Sequence, residues 1–233
     1  MKIAVCLSGQ PRFLERGYQQ IYDNIISKYD NVDFFIHTWW DDDMKKDQFI
    51  KANDKNYKLD DFGKIRQYSY PIDTLELIMK YYKPKLILNE TQIKFETHKN
   101  VDYETINPLS LYSMYYSIKV SNNLKKFYEN KNNFIYDVVI RCRFDILIEK
   151  LDIDFNDIDL SYIHTDIVGL DHPNDQLAIS SSENMDYYSI LFDKIDDYYK
   201  EGFDRFVGER LLKHHLKNKL YICDKIKNNI IKN

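Results

Sequence analysis

The chain has 233 residues, 30% charged and 44% hydrophobic, with a formal net charge of -4. Six glycines and five prolines are about half the usual abundance of these residues, which excludes a collagen-like, linker-dominated or disordered chain. The length is enough for one domain with a full core, and the weakly acidic balance gives no overall drive toward nucleic acid or an anionic membrane.

In chain order, Ile3 to Leu7 is a short apolar run closed by Ser8-Gly9-Gln10-Pro11-Arg12, which predicts a buried first strand and a loop. Leu14, Tyr18, Ile21, Tyr22, Ile25 and Ile26 recur at helical spacing, and Val32 to Thr38 is a second strand. Strand, helix and strand in close succession form a βαβ unit, the signature of a parallel sheet covered by helices. The stretch from Asp41 to Asp61 reads as an exposed excursion. A strand at Ile65 to Tyr70, a helix at Ile72 to Tyr82 and a strand at Lys85 to Leu88 continue the alternation. Leu109, Tyr112, Tyr116, Val120, Leu124 and Phe127 mark the apolar face of a long helix that opens with Pro108. Asp137 to Arg141 is an interior strand of β-branched residues, and Asp175 to Ser180 follows an Asp-rich linker as another. Helices over Ser182 to Tyr199 and Asp204 to Leu216 close the domain, expected to span residues 1–224, with 225–233 a polar, frayed tail. The expected class is therefore α/β, with a mostly parallel central sheet flanked by helices.

Three cysteines without metal-ligand spacing argue against a disulfide scaffold or a zinc site and for a reducing compartment. The first apolar run is too short for a signal-peptide core and nowhere do about 18 apolar residues run together, so a cytoplasmic protein without a membrane span is expected.

Chemistry is expected beyond the carboxyl ends of the strands, where open parallel sheets bind ligands. Ser8, Gly9, Gln10 and Arg12 form the first such loop: glycine admits a close backbone approach, and arginine can fork onto a phosphate or carboxylate. The other reading is a tight turn with a solvated arginine. There is no G-x-G-x-x-G and no P-loop, which disfavours a dinucleotide dehydrogenase or a Walker-type ATPase. Arg141, Arg143 and Asp145 share one face if the strand stays extended, and two guanidiniums beside a carboxylate suit a diphosphate with Mg²⁺ or Mn²⁺ on Asp145. The plainer reading is an Arg–Asp surface pair. Asp41-Asp42-Asp43 is a rival metal site, or a solvated charge run. Trp39 and Trp40 suit either stacking on a sugar or base, or core packing. His214 and His215, adjacent on a helix, cannot share a face, though one could be a lone ligand. Asp175 and Glu209 are candidates to take a proton from an acceptor hydroxyl or to hold sugar hydroxyls; otherwise they are a turn cap and a first-turn helix acid.

Taken together, Lys2 to Arg12, Asn107 to Lys119, Tyr136 to Asp145, the Asp175 strand and Gly208-Glu209-Arg210-Leu211-Leu212 resemble glycosyltransferases of large DNA viruses, phages and bacteria. Their order is also similar to that of lipopolysaccharide-synthesis transferases of the GT-A type. The resemblance implies a Rossmann-like GT-A fold, a nucleotide-sugar donor and a glycan or glycoconjugate acceptor, with host cytoplasm as the location if the chain is viral. It implies that Ser8, Gly9, Gln10 and Arg12 contact the nucleotide, that Arg141, Arg143 and Asp145 hold the diphosphate with or without a divalent cation, and that Asp175 and Glu209 face the sugar or acceptor. GT-A enzymes carry Asp-x-Asp where this chain has Arg143-Phe144-Asp145, so two arginines could neutralise the leaving group without a metal. The alternative to a transferase is a carbohydrate- or nucleotide-binding module of the same fold without turnover.

Overall fold

The computed structural model describes residues 1–40, 71, 73–99, 101–103, 107–169 and 171–231. The expected Ile65 to Tyr70 strand and the Asp41-Asp42-Asp43 run lie outside the described residues. Nine strands are present among those described: β1 Ile3–Gly9, β2 Val32–Trp39, β3 Leu86–Glu90, β4 Val138–Arg143, β5 Ile146–Leu151, β6 Ile163–Val168, β7 His172–Ser180, β8 Leu220–Ile222 and β9 Ile226–Ile230. The helices are α1 Leu14–Ile21, continued by a π turn at Tyr22–Ile26, α2 Thr74–Tyr82, α3 Pro108–Asn132, α4 Ser182–Ser189, α5 Leu191–Lys200 and α6 Gly208–Leu216. None of them is long and apolar enough to cross a membrane.

Seven strands form the central sheet in the order β3-β2-β1-β4-β7-β6-β8. Neighbours are parallel except at β7, which runs against both β4 and β6, so six strands point one way. The reversal of β7 brings its N-terminal half to the edge where the parallel strands end. This is the α/β architecture expected from the βαβ opening. Strand alternation sends Ile3, Val5 and Leu7 to one face, against α1 and α2, and Ala4 and Cys6 to the other, against α3 to α6. Both faces of β1 and β4 are therefore covered, and these central strands read as nearly unbroken apolar runs.

The helix expected around 108–127 forms. Tyr112 and Leu124 of its expected face pack in or against the core, but the helix also buries a second, polar row. Asn107 caps it, its Oδ1 accepting from the Leu109 amide at 3.0 Å, with Pro108 in the first turn. Ser113, Ser117, Ser121, Lys125 and Glu129, spaced by four, are all buried, whereas Phe127 is 57% exposed. Small serines let the helix lie close to β1 and β2. At its far end the Lys125 ammonium, fully buried, meets Glu129 at 3.2 Å, Asp186 at 2.9 Å and the Ser182 hydroxyl, and so ties α4 to α3. An isolated buried ammonium would be prohibitive; with three oxygens around it the charge is matched.

Three further differences concern the second half. The segment after Asp145 is a strand, β5, rather than linker; β6 follows it; and the expected Ser182 to Tyr199 helix breaks at Ile190 into α4 and α5. Residues 225–233, expected to fray, include β9, which pairs antiparallel with β5 and continues to Ile231, whose amide donates to the Asp145 carbonyl at 2.8 Å. All three cysteines are free and buried.

Gly17, an isolated glycine inside α1, packs against the turn that joins β4 to β5. A Cβ placed on it would lie 1.7 Å from the Phe144 carbonyl oxygen, so no other residue fits without moving helix or turn. Gly17→Ala is expected to lower stability by about 1–3 kcal/mol, the usual cost of overpacking. Urea unfolding measures this, and an unchanged midpoint would contradict the close approach.

Candidate active site

At the carboxyl edge, β1, β2 and β4 present one row of side chains toward α3: His37, Ser8 and Arg143 lie side by side in register. Beyond it β1 ends at Gly9, whose φ of +109° is a conformation that side-chain-bearing residues rarely adopt. The Thr38 hydroxyl donates to the Gly9 carbonyl at 3.0 Å and fixes the turn. Phe13, before α1, also has a left-handed φ of 50°, so the loop that carries Gln10 and Arg12 is tightly constrained.

Beyond Arg143 the chain turns at Phe144 and Asp145. The Arg143 guanidinium grips the Asp145 carboxylate with two bonds, Nε to Oδ1 at 2.7 Å and Nη2 to Oδ2 at 2.9 Å. Arg12 approaches the same carboxylate at 3.6 Å from the β1–α1 loop. Asp145 is 1% exposed. Burial pushes its carboxyl upward, but the charge and hydrogen bonds of Arg143, joined by Arg12, prevail and hold it below the usual carboxylate range. Thus Arg143 and Asp145 stay together as their spacing suggested, and Arg12 joins them from the separate β1–α1 loop.

This geometry does not fit the expected cation on Asp145. Both carboxylate oxygens are taken by the Arg143 fork, and two guanidiniums stand where a metal's charge would be. Among the described residues no three His, Cys, Asp or Glu side chains gather as a metal-holding group.

Arg141 sits apart from that cluster. It is 1% exposed, beside Cys6 in register and one row inside the edge, so it lies beneath the opening. Its Nε and Nη1 have no hydrogen-bond partner among the described residues. Around it are Tyr115 and Tyr188, whose phenols are pushed up first by burial and also feel the charges of Asp175, Glu209 and Arg141. One buried guanidinium and two carboxylates thus form a second cluster on the α3 side of the sheet.

Asp175 does not head its strand; it is the fourth residue of β7. A register shift between Thr165 and Ile167 breaks the β6–β7 ladder here, and the Thr165 hydroxyl bonds the carbonyls of Asn174 and Leu177. Regular alternation would place Asp175 with Leu177 on the α1 side; the irregularity directs it to α6, where a Cβ on Gly208 would lie 3.0 Å from Oδ2. Tyr115 donates to the Gly208 carbonyl at 2.7 Å and holds the start of α6. Glu209, next along, is half-buried.

Trp39 and Trp40 are buried, 2% and 3% exposed, and Trp39 stacks on Tyr116, so core packing is their role. His215 is not a lone ligand: Nε2 donates to the Tyr187 carbonyl at 2.7 Å and Nδ1 accepts from Tyr198 at 2.7 Å. His37, which the sequence reading passed over, is fully buried, with Nε2 donating to Glu90 at 2.9 Å and Nδ1 accepting from Ser117 at 2.6 Å. A histidine inside the apolar run Phe34-Phe35-Ile36 was the available signal.

No family model and no curated protein sequence matches the chain. Among solved structures, it is similar to the glycosyltransferase GlyE of Streptococcus pneumoniae TIGR4, at TM-score 0.41 and 9% identity over 96% of this chain and 45% of that one. The apo form of GlyE aligns at TM-score 0.44 and 10% identity, with 96% and 45% covered. A glycosyltransferase involved in the glycosylation of the major capsid of PBCV-1 aligns at TM-score 0.38 and 9% identity over 96% of this chain and 82% of that one. The chain therefore spans less than half the length of GlyE.

Burial holds both His37 and His215 below their ordinary value of 6.5, against the raising effect of Glu90 on the first and the Tyr187 carbonyl on the second. Their neutral forms belong to the fold, so their contribution is complete above about pH 6.5 and is lost as the pH falls below it. The Asp145 contribution, also from a lowered group, is lost only further down, below 3.8. Melting temperature is expected to fall from pH 7 to pH 5 and to fall less in His37→Gln; a flat or rising profile on acidification contradicts this.

Proposed function

We propose that the chain transfers a sugar from a nucleoside-diphosphate sugar to a hydroxyl acceptor, on a GT-A-type domain. The supporting observation is the convergence of Arg12 and Arg143 on one buried carboxylate at the edge where the parallel strands end. Two guanidiniums held together at one carboxylate suit a diphosphate, and open α/β sheets bind ligands at this edge. Ser8 lies beside Arg143 in register, and its buried hydroxyl has no hydrogen-bond partner among the described residues. It faces the nucleotide, with Gly9 and Gln10 forming the wall of that pocket.

In this reading the bond from the anomeric carbon to the diphosphate oxygen breaks, and its electron pair leaves with the diphosphate toward Arg12 and Arg143. Asp145 holds Arg143 in place; it acts through the arginine, and the step needs no cation. The acceptor oxygen bonds to the anomeric carbon and its proton passes to Asp175. Glu209, in the first turn of α6, orients sugar hydroxyls. Arg141, buried one row inside the edge beside Tyr115 and Tyr188, adds a positive charge on this side of the sheet.

Asp175→Asn is expected to cut turnover of a nucleotide sugar by about 10²-fold with donor affinity unchanged, as for loss of a general base. Glu209→Gln is expected to raise the apparent KM. Release of nucleoside diphosphate and glycosylated product, followed chromatographically, measures both. The reverse pattern moves the base to Glu209; binding of nucleotide and glycan without any release makes the chain a binding module.

A further inference from the structure

Outside the clusters already described, one cavity of about 260 Å³ opens beside α6. Arg205, Arg210 and Lys213 line it, with His172 from the start of β7 and His214 from α6, and Phe203 forms an aromatic wall. Asp204 also lines it. Asp171 bonds Lys213 and lies 3.5 Å from Nδ1 of His172. Three permanent positive charges, two carboxylates and two imidazoles thus meet at this cavity. Nε2 of His214 is buried and has no hydrogen-bond partner among the described residues.

The cavity's place in the fold sets its use. His172 lies three residues before Asp175 on β7, and Arg210 directly follows Glu209 on α6. The cavity therefore adjoins the second cluster, and neither Arg12 nor Arg143 lines it. The segment that carries Asp204 and Arg205 is held by backbone pairing: the Asp102 amide donates to the Asp204 carbonyl at 2.7 Å, and the Phe206 amide to the Asp102 carbonyl at 2.8 Å. A volume just under the range of pockets for larger ligands, about 300–1,000 Å³, suits a single saccharide unit. Cations select an anionic group, and an aromatic wall suits the apolar face of a sugar ring.

We infer that this cavity is the acceptor subsite and that it takes an acidic saccharide, its phosphate or carboxylate on Arg205, Arg210 and Lys213 and its ring against Phe203. The assignment to the acceptor rests on the transferase reading; the preference for an acidic sugar rests on the cavity itself. Calorimetric titration of the full chain with glucose 6-phosphate, glucuronate, glucose and inorganic phosphate tests it, with UDP, GDP and dTDP titrated separately. At least one acidic sugar is expected to bind about tenfold or more tightly than glucose, and which of the two binds distinguishes a phosphate from a carboxylate source. Arg210→Ala with Lys213→Ala is expected to weaken that binding about tenfold and to leave nucleotide affinity unchanged. Arg205→Ala, at an exposed loop position, serves the same purpose if the double variant fails to fold. Equal affinity for glucose, binding of inorganic phosphate alone, or affinity indifferent to these variants overturns the inference. Nucleotide binding without acidic-sugar binding overturns the subsite and leaves the transferase reading standing. Acidic-sugar binding without nucleotide binding overturns the transferase reading and with it the acceptor assignment, and leaves the cavity's preference for an acidic sugar.

Discussion

The turn at Phe144 and Asp145 is fixed from three directions, and the candidate site depends on it. Arg143 and Arg12 hold the Asp145 carboxylate, Gly17 lets α1 press on the Phe144 carbonyl, and the Ile231 amide bonds the Asp145 carbonyl after β9 has paired with β5. Losing the arginines or the Ile231 bond would leave a buried carboxylate or carbonyl poorly matched, which is costly in a low-dielectric surrounding, and a side chain at Gly17 would overpack the turn. The first helix and the final strand, far apart in sequence, thus share the task of aiming two arginines at the end of the sheet.

The reversal of β7 does comparable work on the other side. A parallel strand in that position would carry the Asp175 half of the segment to the opposite edge of the sheet. Running backward, β7 sets Asp175 beside the start of α6, and the broken ladder with β6 turns it toward Gly208. The Arg12–Arg143–Asp145 cluster and the Asp175 side of α6 then line one edge, with Arg141 one row inside it.

Much of this arrangement was legible in the sequence where the signal is local. The βαβ opening follows from apolar runs and helical spacing, and Arg12, Arg143 and Asp145 stood out as charges directly after buried strands. What was not legible depends on distant partners. β5 reads as part of a linker because its pairing partner is β9, about 80 residues on, and the polar look of 225–233 hides strand alternation. Part of the buried side of α3 is not legible because Ser113, Ser117, Ser121, Lys125 and Glu129 read as solvent-facing until the ion pair with Asp186 is seen. A metal on Asp145 was a fair expectation from the motif, but the turn delivers the carboxylate to Arg143 instead. Gly17 carried a signal, an isolated glycine in a helical pattern, whose meaning only the neighbouring turn supplies.

The central claim is that guanidiniums alone hold the diphosphate, and the most direct measurement is calorimetric titration of UDP, GDP and dTDP in the presence of a strong chelator. The account predicts that one of them binds with chelator present, that Arg143→Ala weakens it about tenfold or more, and that added Mn²⁺ changes little. Binding that vanishes with chelator and returns with Mn²⁺, or that is indifferent to Arg143, would contradict it.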